Sequence, residues 1–194
     1  MDCEKIRDLL LSNSPICVFL TDAIKRLNGG KDVVKDMVQC VQCDEQQTGG
    51  YTPDEGITLC ANHLFNKKMA ENTLAHEMIH MHDDKQFQID WLNLEHHACA
   101  EIRASSLSGE CRWTKEWAGG NIKTFSKHHQ ACVKRRATQS VLANPKCTSK
   151  EEAERVVNKV FEACFRDTRP FEKSKWENDE QGEHGPGCLL TCFI

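Results

Sequence analysis

MAENTLAHEMIHMHDD, residues 69–84, carries the pattern H-E-x-x-H at His76, Glu77 and His80. The stretch is rich in helix formers and no proline interrupts it, so it predicts a helix. On a helix, residues four apart lie on one face about 6 Å apart. Two imidazoles at that spacing can share one Zn²⁺, and Glu77, beside the first of them, can reach a water next to the metal. Zinc brings the pKa of such a water towards ~7, a carboxylate can take its proton, and the remaining oxygen can attack a polarised amide carbonyl. Met78, Ile79 and Met81 are apolar neighbours that predict a buried helix rather than a solvated one.

A hydrolytic zinc needs a third protein ligand and an open fourth position. The residues after His80 are Met81, His82, Asp83, Asp84, Lys85 and Gln86, with no glycine or histidine where a His-x-x-Gly-x-x-His arrangement requires them. The alternative is a glutamate on a second helix about 20 residues on. WLNLEHHACAEIRASSLSG, residues 91–109, supplies one: Glu101, 21 residues after His80, in a stretch that reads as helical as far as Gly109. His97 lies one turn earlier on the same face. Ser105, one turn later, is placed to hydrogen-bond a ligand. Glu101 is the preferred third ligand, His97 the alternative and His96 a third choice. For the group that steadies a tetrahedral oxyanion, Tyr51, His97, His128 and His129 are all candidates.

Composition narrows the setting. A chain of 194 residues with 39% hydrophobic content suits one domain, here 1–170, followed by a flexible tail, 171–194, where apolar residues thin out around Gly185-Pro186-Gly187. A net charge of −4 gives no reason to expect nucleic acid as a partner. No apolar run approaches the ~20 residues that span a bilayer. The N-terminus, MDCEKIRDLLLSNS, has early acids and no long apolar region, so it reads as neither a secretory signal nor an Arg-rich transit peptide.

Twelve cysteines are spread along the chain. An even, dispersed set suits disulfides in an oxidising compartment. Without a signal peptide, that compartment is expected to be the mitochondrial intermembrane space. A competing reading takes Cys40, Cys43, Cys60 and His63, spaced C-x2-C-x16-C-x2-H, as a second, structural zinc site.

Around the metal helix the rest of the fold is α+β and mostly helical. Residues 1–30 read as one or two amphipathic helices closed by Gly29-Gly30, and Val33, Val34, Met37 and Val38 continue a helical spacing to the Cys40/Cys43 pair. QQTGGYTPDEG, residues 46–56, reads as turn. Gly56–Cys60 reads as a strand, either an edge to which extended substrate could add or a buried structural strand. Trp113 and Trp117, in the loop 107–121, are expected to close the core. Residues 121–143 and 149–165 read as a helical hairpin (121–165) with Ser149 and Glu152 as a capping box. Its Cys132, Cys147 and Cys164 suggest disulfide ties, and Lys134-Arg135-Arg136 reads as a solvated face.

HEMIH, followed by HHACAEIRASSLSGEC and preceded by GITLCANH, together with the many cysteines, resembles one family. It is similar to the mitochondrial intermembrane-space zinc metallopeptidases that assist ATP synthase assembly, peripheral to the inner membrane. The resemblance spans roughly residues 10–170. It implies a zincin-like, gluzincin-type core, one catalytic zinc held by His76 and His80, and Glu77 as the base. It implies cleavage of a mitochondrially encoded ATP synthase membrane subunit or of misfolded intermembrane-space proteins, and a separate chaperone role for the synthase membrane sector. Family members are similar in lacking a cleavable presequence and in being trapped by oxidative folding. Cys188 and Cys192 match no feature of the family. The rival reading is a non-catalytic zinc-binding assembly factor or adaptor, which would not need Glu77 beside the histidines.

Overall fold

The Asp2 side chain accepts a hydrogen bond from the Lys5 amide at 3.2 Å and so opens the first helix of a computed structural model that describes residues 2–44, 46–111 and 122–171. The predicted Trp113/Trp117 loop and, beyond Phe171, the predicted tail with Cys188 and Cys192 lie outside the described residues. The chain divides between residues 88 and 89 into two compact units.

In the first unit, α1 (Cys3–Asn13) and α2 (Pro15–Leu27) are split at Ser14, whose extended backbone meets a proline in the first turn of α2. Leu10, Cys17, Leu20 and Ile24 are buried. Gly29 and Gly30 end the pair with positive φ, as predicted. The helical spacing expected beyond them does not persist. Lys35–Met37 is a single 3₁₀ turn, and Val38–Val41 is a strand, β1. Pairing with a neighbouring strand and the Cys3–Cys40 disulfide capture this segment, so tertiary context overrides a local spacing. The expected turn at 46–56 likewise contains a strand, β2 (Gly49–Thr52), before the turn that precedes β3 (Gly56–Cys60).

Strand order is β1-β3-β2, with β1 parallel to β3 (Val38 opposite Ile57) and β2 antiparallel to it (Gly49 opposite Leu59). β3 is therefore central. Its backbone is used on both sides, which removes it as a platform for added substrate. Ile57, Leu59 and Cys60 are buried, the structural outcome.

Helix α3 (Lys67–Phe87) packs on α2, β2 and β3. Asn66 caps it by accepting from the Met69 amide at 2.9 Å. Every residue from Thr73 to Asp83 is buried, so over this stretch the helix is interior on all faces.

In the second unit, α4 (Leu94–Leu107) packs against α5 (Ile122–Ala143) and α6 (Lys150–Arg166), which also pack on each other. Ala98, Ala100 and Ala104 on α4 are small and fully buried, which lets neighbouring helices approach closely. Ser149 caps α6 as predicted, accepting from the Glu152 amide at 3.2 Å. The return bond of the box shifts by one residue, because Glu152 accepts from the amide and hydroxyl of Thr148. The expected solvated face at 134–136 is partly structural. Lys134 donates to Asn158 and lies 4.4 Å over the Phe161 ring, and Arg136 pairs with Glu110.

Among the described residues four disulfides are formed: Cys3–Cys40, Cys43–Cys60, Cys99–Cys164 and Cys111–Cys132. They overturn the second zinc site at Cys40, Cys43, Cys60 and His63. All three sulfurs are consumed in disulfides, and His63 Nε2 lies 3.3 Å from the Cys43 carbonyl. The hairpin is not tied across itself. α6 is bonded to α4 and α5 to the turn after α4, while Cys147 carries a free thiol. Cys17 is also free; burial pushes its thiol up to about 11, so it is an inert core group at neutral pH.

Candidate metal centre

Helix α3 supplies a dyad and an acid. His76 and His80 are buried, with Nε2 atoms 3.1 Å apart and rings edge-to-face at 4.7 Å between centroids. Burying two imidazoles and the carboxylate of Glu77 on one helix is costly unless each meets a partner of suitable chemistry. Two nitrogens bound at 2.0–2.1 Å to a tetrahedral zinc stand roughly 3.3 Å apart. The observed spacing fits that geometry, so the donor pair suits the ion the sequence implies.

The sheet edge is built onto this helix at Gly49. A Cβ there would lie 2.8 Å from the Thr58 carbonyl oxygen, 2.8 Å from Thr73 Cγ2 and 3.6 Å from Glu77 Cγ. Only a residue without a side chain lets β2 run this close to the face that carries Glu77. Thr73 Oγ1 and Thr48 Oγ1, 3.1 Å apart, join helix and strand at the same place. Sequence reading took this glycine for a turn residue. Its signal, a Gly-Gly pair before an aromatic residue, has meaning only once β2 is known to pair.

Further along β2, the Tyr51 hydroxyl donates to Asp84 Oδ2 at 2.9 Å, one helical turn beyond His80. Burial, reinforced by the Asp84 carboxylate, pushes the Tyr51 phenol well above its ordinary value. It therefore remains a hydrogen-bond donor across the physiological range. His82 and Asp83, both buried, contact each other through Nδ1 and Oδ1 at 3.0 Å.

In the second unit, α4 carries Glu101 and His97 one turn apart on the same face, His97 Nε2 lying 3.6 Å from Glu101 Oε1. Both nitrogens of His97 are engaged within the unit: Nδ1 with Asn144 Nδ2 at 2.8 Å and Nε2 with Ser140 Oγ at 3.1 Å. His96 uses Nδ1 to accept from the Asp90 amide at 3.2 Å. Ser105 is fully buried on the same helix. Of the other oxyanion candidates, His129 packs on the Phe165 ring at 5.4 Å and His128 is exposed.

A helix that buries two facing imidazoles and an adjoining glutamate has the donors to hold a metal ion. The sequence places it in a family: the chain matches the Peptidase M76 family over residues 1–172 and belongs to it. It is 62% identical over 172 residues to the mitochondrial inner membrane protease atp23 of Schizosaccharomyces pombe, covering 89% of this chain and 92% of that protein. The corresponding proteases of Coccidioides immitis and Yarrowia lipolytica are 51% and 45% identical over 172 residues, covering 72% and 68% of their lengths. No solved structure matches the chain.

Proposed function

We propose that this peptidase is a zinc endopeptidase with a zincin-like core, in which His76, His80 and Glu101 hold one catalytic zinc and Glu77 is the base. The observation that carries the reading is the buried pair of Nε2 atoms on α3 with Glu77 beside it. Glu101 is taken as the third donor because its distance along the chain from His80 suits a turn-back to a second helix. Two imidazoles and one carboxylate leave a fourth position for water and substrate. His97 is the weaker ligand because both its nitrogens already serve Asn144 and Ser140.

Zinc, when bound, supplies a Lewis acid that polarises the scissile carbonyl. Glu77 accepts a proton from the attacking water and can return it to the leaving amine. Gly49 keeps the edge strand close to Glu77, so extended substrate added to the outer side of β2 would run past the base. Tyr51 keeps its hydroxyl proton, which it now donates to Asp84, and would serve an oxyanion only by turning from that carboxylate.

The relatives' names place them at the mitochondrial inner membrane, which supports action there. No described helix is long and apolar enough to cross a membrane, in keeping with peripheral attachment. Four disulfides suit the oxidising intermembrane space. We assign protein substrates, foremost a membrane subunit of the ATP synthase, with a chaperone role in assembly of the synthase membrane sector. We further propose that residues 1–170 act as one peptidase domain, in line with the family match over 1–172.

The ligand set is tested by zinc stoichiometry. Glu101→Gln is expected to lose most bound zinc and His97→Gln to keep it. Full zinc in Glu101→Gln with none in His97→Gln would make this a three-histidine site.

A further inference from the structure

Behind Glu101 lies a chain of polar contacts that the metal reading does not use. Asn144 directly follows α5 and is buried. Its amide orientation is fixed by two backbone groups. Nδ2 donates to the Trp91 carbonyl at 2.8 Å, and Oδ1 accepts from the Lys146 amide at 3.0 Å. Flipping the amide would set oxygen against the Trp91 carbonyl and NH₂ against the Lys146 N–H, so both bonds would be lost.

With that orientation set, the second hydrogen of Nδ2 points at His97 Nδ1, 2.8 Å away. Nδ1 must then present its lone pair, since a proton there would face the N–H of the amide. The ring proton of His97 accordingly sits on Nε2, which faces Ser140 Oγ at 3.1 Å and Glu101 Oε1 at 3.6 Å. Trp91, whose carbonyl anchors Asn144, also packs its ring edge-to-face on His97 at 6.2 Å between centroids, which limits ring rotation.

We propose that Asn144 is a positioning residue that locks His97 in its Nε2–H tautomer, so that His97 presents an N–H to the Glu101 carboxylate and orients it as a metal ligand. This rests on Glu101 being the third ligand. Donation to a ligating carboxylate keeps it ionised, fixes its rotamer and leaves the other oxygen for the metal. Ser140, which the same N–H reaches at 3.1 Å, holds the ring in register beside Glu101. A purely structural role for Asn144 would tie α5 to the start of α4 but would be indifferent to which nitrogen of His97 bears the proton.

The test uses the full-length protein labelled with ¹⁵N-histidine, with long-range ¹H–¹⁵N spectra assigned by the signal that His97→Gln removes. His97 is expected as the Nε2–H tautomer, without and with added zinc; an Nδ1–H ring overturns the proposal. Asn144→Asp puts an acceptor against Nδ1, so at a pH where the ring carries a single proton that proton is expected to move there and the zinc dissociation constant to rise ~10–100-fold. An unchanged zinc affinity with the proton moved overturns it. If Asn144→Asp does not fold, His97→Leu and His97→Gln carry the same test, because the glutamine amide can place an N–H near the position of Nε2. Leu is expected to weaken zinc ~10–100-fold and Gln to restore most of it, and equal losses overturn the proposal. Zinc retained by Glu101→Gln would instead overturn the ligand assignment. That outcome is distinct from failure of the positioning role, where Glu101→Gln loses zinc and Asn144→Asp keeps it.

Discussion

At the scale of single residues, the site depends as much on an absent side chain as on those present. Gly49 admits no Cβ, because the Thr58 carbonyl is backbone and Thr73 is held by α3. Gly49→Ala is therefore expected to push β2 off the helix, costing about 1–3 kcal/mol as overpacking does, and to lower hydrolysis through the displaced strand beside Glu77. Urea unfolding and a peptide-cleavage assay on the same sample check it; wild-type values in both would refute the close packing. The facing of His76 and His80 with Glu77 beside them was legible because it is set by spacing on one helix. Gly49, the Tyr51–Asp84 bond and the Asn144–His97 contact were not, because each depends on a helix residue 24 or more positions away and none has a local signature. Glu101 sits between these cases: distance along the chain nominated it, but His97 shared its face.

At the scale of elements, the segment after α6 is pinned to α4 by one buried cation. The Arg103 side chain is 0% exposed; it donates to the Asp167 and Arg169 carbonyls and pairs with the Asp167 carboxylate at 2.7 Å. Burial pushes the Asp167 carboxyl up, but the hydrogen bond from Arg169 and the charges of Arg103 and Arg169 outweigh it and hold the group below its ordinary value. A lowered carboxyl contributes stability that is fully present above the unfolded pKa of about 3.9 and is lost as pH falls through the folded value. The wild type should thus exceed Asp167→Asn in urea midpoint at neutral pH, with the gap closing below about pH 4. Leaving Arg103 without its carboxylate is expected to cost on the order of 3 kcal/mol; a pH-independent gap would contradict the ionic account. Arg103 reads in sequence as one more polar residue of a helix, so nothing local announced this tie. The helices themselves were legible from apolar spacing and caps. β1 and β2 were not, because one borrowed a helical spacing and the other is half glycine, and both owe their form to pairing with β3.

At the scale of the whole molecule, four disulfides bridge separations of 37, 17, 65 and 21 residues. Loop entropy ranks them: about 4 kcal/mol for the longest and about 3 for the shortest. Reduction should lower the melting temperature even with zinc saturating, and Cys99→Ser paired with Cys164→Ser should cost more than Cys43→Ser paired with Cys60→Ser. An unchanged melting curve in excess reductant would contradict an oxidised fold. That cysteines pair as disulfides was legible from their even, dispersed count, but the pairing was not, since twelve cysteines admit thousands of connectivities. What the oxidised frame holds in place is a buried helix on which we assign Glu77 as a base beside two metal ligands. The most direct measurement is zinc per chain and hydrolysis of an unfolded protein substrate, taken together on the wild type and on Glu77→Gln. The account expects one zinc in both, with the rate of the variant down by ~10²–10⁴ because an amide cannot take the proton from water. Near-normal hydrolysis by zinc-loaded Glu77→Gln would contradict it.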